Sequence, residues 1–396
     1  MNGQYILLTI NLLLWLVIAA STMYVFFFSM ASLIPSRKQP EHDSSHRLRF
    51  LVIIPAYHED AVIINTVESF LHQDYPTDLY QLVVVSDNMK PETNDYLSSL
   101  PITLLQPSFQ TSSKAQALQY AIAQSQLPNP SHHHQHQSVV ILDADNIVQP
   151  DFLNQLNPIA VKYQAVQCHR TAKNADNDIS ALDGFSEEIN NSIFRRGHNR
   201  IGMSSALIGS GMCFNYEWFK SNVNKLDSAV EDRELEALLM KQGVYIHYAE
   251  DILVKDEKVS DSNNFQRQRL RWMTGQVQAL IRMLPYLPKA VMTGNINYID
   301  KTVQQALIPR SILLILTPLL TLFSLAVFGF TFPTVMWAAL LCVLVFSLYN
   351  AIPSRMRSRA ILNNLRVLPK LTWRMMLNFA HIRPQNKEFI HTTHKQ

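Results

Sequence analysis

Two aspartates one residue apart, Asp143 and Asp145, close the apolar run SVVILDADN. Carboxylates so spaced at a strand end can offer oxygen to a hard cation and leave room for phosphate. Strand-to-loop turns also favour aspartate for conformational reasons alone. A third acid, Asp232, lies in SAVEDRELEALLMKQG. Ser228 and Glu231 there have the S-x-x-E spacing of a capping box, which gives Glu231 a structural role at a helix start. At about 100° per residue, Asp232 shares a face with Leu235 and Leu239, whereas Arg233 and Glu234 point elsewhere. An acid on a packed face needs a partner or a task. It either uses the helix dipole or serves as a general base toward a hydroxyl.

The basic counterpart is QRQRLRW, from Gln266 to Trp272. In a helix, Gln268, Arg271 and Trp272 stand at i, i+3 and i+4 and share a face, with Arg267 and Arg269 on others. Arginine offers bidentate donors to a pyrophosphate, and tryptophan a flat surface for a sugar ring. A basic amphipathic helix can also lie on a membrane, and LIRMLPYLPKAV downstream supports that. The two roles are compatible on different faces.

These residues need a scaffold. RFLVIIPAYHED, LVVVSDN from Leu82 and SVVILDADN from Ser138 are apolar runs that end in polar residues, which predicts buried strands feeding loops. INTVESFLHQ, with Ile64, Val67 and Leu71 on one face, and SKAQALQYAIAQ, with Ser113 as N-cap, predict helices between them. The alternation predicts an α/β fold with a parallel-rich sheet covered on both faces. Ligands bind such sheets at the carboxyl ends of the strands. Tyr57, Glu59, Asp87, Asp143 and Asp145 all fall there. No internal repeat occurs. PNPSHHHQHQ reads as a solvated linker, its histidines being the other candidate metal ligands.

Hydrophobic residues make up 47% of the 396, but unevenly. Tyr5 to Leu33 is long enough to span a bilayer core of about 30 Å. With no basic residues before it and no clear cleavage site after it, the run reads as an anchor rather than a signal peptide. Ser311 to Phe330 and Val335 to Tyr349 form two more apolar runs. Arg37, Lys38, Arg47 and Arg49 follow the first run, Lys301 and Arg310 precede the second, and Arg355, Arg357 and Arg359 follow the third. The positive-inside rule then puts the N-terminus outside, the polar region in the cytosol and the uncharged FTFP link outside. A net charge of +3 gives no argument for nucleic acid, and the basic residues crowd where anionic lipid would attract them. Cys168, Cys213 and Cys342 lack pairing or metal spacing, which suits a reducing compartment.

In this order, PAYHED, VVVSDN, SKAQAL, LDADN, VED and QRLRW resemble the D, D, D, Q-x-x-R-W pattern of membrane-bound family 2 glycosyltransferases. Bacterial cellulose, hyaluronan and chitin-type synthases are the best-known members. The resemblance runs from about Phe50 to Trp272 and implies a GT-A nucleotide-diphospho-sugar transferase domain. It implies that Tyr57, Glu59 and Asp87 hold the uracil and ribose of a UDP-sugar, with Lys114 nearby and Asp143 on the nucleotide. Asp145 would coordinate Mg²⁺ or Mn²⁺, and Asp232 would be the base that deprotonates the acceptor. Gln268, Arg271 and Trp272 would bind the diphosphate and the acceptor's terminal sugar. GSGMCF, with Gly209, Ser210 and Gly211, resembles the segment lining the acceptor site. The tail FIHTTH, with Phe389, Thr392 and His394, resembles the F-x-V-T-x-K gating loop of cellulose synthases. Histidine, largely neutral at pH 7, replaces the lysine there.

The expected layout is an N-terminal anchor over 1–36, a cytosolic catalytic domain over 47–275, interfacial helices over 276–306, and a transmembrane hairpin over 307–350. An interfacial helix from Arg359 and the gating-like tail complete 351–396. The expected activity is metal-dependent, inverting transfer to a growing polysaccharide or other glycan at the cytosolic face of the bacterial inner membrane. Single addition to a lipid-linked carrier and a catalytically inactive scaffold are the alternatives. Expected partners are a UDP-sugar, a glycan or lipid-linked acceptor and membrane lipid, with homo-oligomers or accessory export subunits allowed.

Overall fold

The computed structural model describes residues 2–36, 46–124, 137–174, 177–228, 230–258 and 262–357. The histidines of the PNPSHHHQHQ loop, the segment from Arg359, and Phe389, Thr392 and His394 lie outside the described residues. The eight described strands are β1 (Arg49–Tyr57), β2 (Tyr80–Asp87), β3 (Thr103–Leu105), β4 (Gln137–Ile141), β5 (Ile147–Val148), β6 (Ala165–Ala172), β7 (Met212–Asn215) and β8 (Ile246–Asp256). They form one sheet in the order β3-β2-β1-β4-β7-β6-β8-β5.

The apolar runs have a two-sided reason. In β1, Phe50, Val52 and Ile54 enter one core while Leu51 and Ile53 enter the other. Leu82 and Val84 of β2 oppose Val83 and Val85 in the same way. Ile63, Val67, Phe70, Phe152 and Leu153 cover the first face, and Leu118, Ala121, Leu235 and Leu239 the second. Each strand residue is therefore buried whichever way it points, as the period of two requires.

The sheet is mixed. β1 pairs parallel with β2 and β4, β2 with β3, and β6 with β8. β7 runs antiparallel to both β4 and β6, and β5 antiparallel to β8. The cause is the chain's path after β6. It makes a helical excursion from Asp178 to Arg200 and re-enters the sheet from the end at which it left. The strand MCFN belongs to GSGMCF, so that stretch is half turn and half central strand.

Two local expectations are adjusted. Ile63, Thr66, Val67 and Phe70 form the buried face of the Ile63–Leu71 helix, with Ile64 and Leu71 at its edge. No capping box starts the Glu231–Lys241 helix, whose N-cap is Val230. Glu234 instead accepts from the backbone N–H groups of Asp227 and Ser228, at 3.0 and 3.2 Å. That leaves Glu231 free to turn toward Lys114. Ser113 behaves as expected, its Oγ accepting from the Gln116 N–H at 3.2 Å.

Three helices are long and apolar enough to cross a membrane: Tyr5–Ala31, Arg310–Phe328 and Phe332–Ala351. Ile18, Val25, Leu313, Trp337, Leu340 and Leu344 bury one another among them. The first is tied to the sheet domain through His198, which stacks on Phe28 at 3.6 Å, and through Asp300, which accepts from the Tyr24 hydroxyl at 2.8 Å. This joint packs the first apolar helix against the rest of the chain through Phe28 and Tyr24.

Candidate active site

At the ends of β1 and β2, Tyr57 and Asp87 are register partners. The next residues, His58 and Asn88, take positive φ of 54° and 53°, costly for side chains other than glycine. Those turns bring the loops together: the His58 N–H donates to the Asp87 carbonyl at 3.3 Å. Burial raises the pKa of Asp87, against a hydrogen bond from Ser112. Tyr57, Glu59 and Asp87 line one end of a cavity of about 1020 Å³.

The centre of that cavity is a knot of opposite charges. Lys114 donates to Asp143 and, at 2.7 Å, to the Gly209 carbonyl, and it stands 3.4 Å from Glu231. Gly209 adopts a φ of +86°, and its missing side chain keeps the centre open. A Cβ there would lie 3.8 Å from Glu231 Oε1, 3.9 Å from Asp232 Oδ2 and 3.9 Å from Lys114 Nζ. Burial raises the Glu231 pKa to about 7, with Lys114 opposing and Asp232 adding to the shift. Arg271 enters from the Ser262–Met283 helix and faces Glu231, Asp143 and Asp232, while burial lowers its pKa. Gln268 and Trp272 line the same wall, and the Gln268 Oε1 is buried with no hydrogen-bond partner among the described residues.

Arg269 departs from the helical-wheel expectation. It also lines the cavity, folded over the Phe265 and Trp272 rings at 4.8 and 4.6 Å, and is ion-paired with Asp183 at 2.5 Å. A long side chain on a neighbouring helix position can reach round when an aromatic surface and an acid await it. Arg267 stays exposed. Ser210 and Gly211 are set back behind the cavity. Ser210 Oγ donates to Asn146, and a Cβ on Gly211, at φ +62°, would press within 2.9 Å of Val254.

Asp145 is 5% exposed and accepts from Asn146 Nδ2 at 3.0 Å and from the Glu257 N–H at 3.1 Å. Burial, then Asp256 and Asp143, push its pKa well up, and it shares a hydrogen bond with Asp256. Asp256, although buried, is held below the usual carboxylate range by Lys258 at 2.7 Å and Arg170 at 3.5 Å. Arg170 also pairs with Glu187 at 3.1 Å, and Glu187 with Arg195 at 3.4 Å. Two adjoining buried carboxyls call for a proton or a cation between them, so Asp145 fits a divalent ion. Among the described residues no cluster of three or more His, Cys, Asp or Glu could enclose a metal. A single protein carboxylate suits an ion that keeps most of its shell for water and phosphate.

Sequence reasoning missed Asp256, Arg170, Glu187 and Lys258. VKDEK closes β8 with an acid as VVSDN closes β2, but the acids and lysine inside β8 break the apolar run that marks the other strand ends.

The sheet with acids at its strand ends and a basic, aromatic helix across them has the GT-A-like architecture of nucleotide-sugar transferases. The chain belongs to glycosyltransferase family 2: the family described as "Glycosyltransferase like family 2" matches residues 46–275. Its fold is similar to that of the mannosyltransferase PcManGT from Pyrobaculum calidifontis, in complex with GDP-Man and Mn2+. There the identity is 16% and the TM-score 0.54, over 86% of this chain and 96% of that one. Residues 1–349 of S. aureus TarS also match, with 14% identity and a TM-score of 0.38 over 85% of this chain and 90% of that one. None of the curated proteins matches. Family membership makes the protein a glycosyltransferase by class.

Proposed function

We propose that the protein catalyses inverting transfer of a sugar from a nucleoside diphosphate sugar to a glycan hydroxyl, with Asp232 as the base. The convergence of Lys114, Asp143, Glu231, Asp232 and Arg271 around the bare backbone of Gly209 carries this reading. Tyr57, Glu59 and Asp87 hold the nucleoside, UDP by the sequence resemblance. Lys114 keeps Asp143 oriented toward the nucleotide. Arg271 and Gln268 meet the diphosphate, and Trp272 offers its ring to a sugar. Asp232 takes the proton of the acceptor hydroxyl, whose oxygen bonds to the anomeric carbon as that carbon's bond to the β-phosphate breaks. The nucleoside diphosphate leaves toward Arg271, whose charge offsets the developing negative charge.

Asp145 is the residue that would hold Mg²⁺ or Mn²⁺, and a bound ion would supply neutralisation of the leaving diphosphate. PcManGT, a structure with GDP-Man and Mn2+, supports a divalent ion and makes GDP-sugars the donor class to test beside UDP-sugars. The charge asymmetry of the three apolar helices supports an inner-membrane protein with this site on the cytosolic side. The synthase resemblance favours a polysaccharide acceptor, whereas the apolar walls of the cavity's membrane end favour a lipid-linked one. The deciding experiment incubates the membrane-embedded protein with a panel of UDP- and GDP-sugars and reads nucleoside diphosphate release, with and without EDTA. Release from one donor class, abolished by EDTA, is expected. No release from any donor contradicts the assignment.

A further inference from the structure

The cavity does not stop at Trp272. It continues between the sheet domain and the apolar helices, where Leu314 and Arg310 from the second, Val345 and Leu348 from the third, and Arg357 just beyond it form the wall. No acid from these helices or their ends lines it. Arg310 donates to the Ser186 carbonyl at 3.2 Å and to Asn190 Oδ1 at 2.6 Å, and lies 5.9 Å from the centre of the Phe194 ring. Arg357 donates to the carbonyls of Ile352 and Asn350 at 2.8 and 3.0 Å and lies over Tyr349 at 4.9 Å. Among the described residues, neither guanidinium has a carboxylate within ion-pairing distance. Of the other cavity arginines, Arg170 and Arg195 pair with Glu187 and Arg269 with Asp183, while Arg233 donates to Gln305 at 2.5 Å.

Arginines that only anchor a span by the positive-inside rule project to the lipid headgroups. These two line the cavity instead, beside aliphatic walls. A neutral polysaccharide passing here would want hydrogen-bond acceptors and flat aromatic surfaces, not uncompensated cations between leucines and valine. An anion attached to an apolar chain meets both features at once: the guanidinium forks fit phosphate oxygens, and the aliphatic walls fit hydrocarbon.

Building on the transferase reading, we propose that the acceptor is a phosphate-linked glycolipid. Its phosphate or diphosphate sits between Arg310 and Arg357, its apolar chain lies along Leu314, Val345 and Leu348, and its sugar reaches Asp232. The reacting group remains a sugar hydroxyl. Its oxygen bonds to the anomeric carbon, its proton goes to Asp232, the nucleoside diphosphate leaves, and the lipid phosphate linkage stays intact.

Farnesyl diphosphate probes the anion and the tail together. Its binding to the full-length protein in mild detergent is measured by calorimetry, with saturating UDP present to fill the donor end. Farnesol has the tail alone, inorganic pyrophosphate the anion alone, and cellopentaose stands for a neutral glycan. Farnesyl diphosphate should bind at least about ten-fold more tightly than each of the other three, since two charge-assisted contacts are worth more than that ratio. Arg310→Gln and Arg357→Gln should each weaken it by about ten-fold, and Arg310→Lys should recover part of the loss. Arg357→Gln is the safer variant, because Arg310 also braces Asn190. Equal binding of pyrophosphate would mean a free-anion site, and equal binding of farnesol a merely greasy one. Preference for cellopentaose, displacement by UDP, or wild-type affinity in Arg357→Gln would each also overturn the proposal. Wild-type nucleoside diphosphate release is scored in parallel. Its absence with the lipid binding intact contradicts the transferase reading, not this site.

Discussion

The two ends of the cavity are built on opposite principles. At the sheet end, Asp143 in the turn after β4, Asp256 of β8, and Glu231 and Asp232 face Lys114, Lys258, Arg170 and Arg271, so these charges are answered within the protein. At the membrane end, Arg310 and Arg357 hydrogen-bond only to neutral groups among the described residues. Paired charges hold a site in shape before its ligand arrives, whereas unanswered charges leave the compensation to the ligand. On the proposed reading, the sheet end serves chemistry on a diphosphate. On the same reading, the end near the apolar helices receives an anion.

The largest effect tests whether the ends lie on the membrane as this contrast requires. In a background with Cys342 replaced, Lys90→Cys should react with an impermeant maleimide only after cells are opened, and Thr331→Cys in intact cells. Labelling of both from the same side breaks the assignment of ends. Next is Asp145→Asn, which should lower divalent-dependent transfer by at least about 100-fold while the protein remains folded in membranes. A retained metal requirement and rate would remove Asp145 from the ion.

Arg170→Met sharpens the contrast energetically. It removes one cationic partner from each of Glu187 and Asp256, which keep Arg195 and Lys258, so unfolding in detergent should become easier by about 1.5–3 kcal/mol. A loss within 1 kcal/mol, roughly a surface substitution's effect, would mean the network is not holding the sheet end together. The smallest effect belongs to Glu231. Its folded pKa, about 7, is above the usual value of 4.5, so the native state binds more protons between those pH values. Its contribution is full below about 4.5 and is lost as pH rises through about 7. Glu231→Gln should remove that downward slope, at most about 1.4 kcal/mol per pH unit. Parallel pH–stability curves for the two proteins would show that Glu231 is not perturbed.

What could be read from residues alone follows the same divide. Asp87, Asp143 and Asp145 were legible because each ends an apolar run, and a strand buried on both faces must turn where its polar residues begin. Asp232 was legible from helical periodicity. Asp256 was not, because β8 reads IHYAEDILVKD, with acids and a lysine inside a strand that bends at a register shift beside Cys168 and His169. The antiparallel entry of β7 depends on the helical excursion before it, which four residues of MCFN do not announce. Glu231 was assigned to a cap from spacing alone, but Glu234 took those backbone donors and Lys114 took Glu231. Arg310 and Arg357 read as ordinary positive-inside markers. Only the packing of Asn190, Phe194 and Tyr349 around them turns their side chains toward the cavity.

The central claim is that Asp232 removes the acceptor's proton in a site otherwise complete without it. The direct measurement compares Asp232→Asn with wild type for sugar transfer and, separately, for donor binding. Donor affinity and folding should be retained, while transfer falls by about 10²-fold or more, the scale of losing a positioned general base. Transfer near the wild-type rate, or loss of donor binding in step with activity, would contradict it.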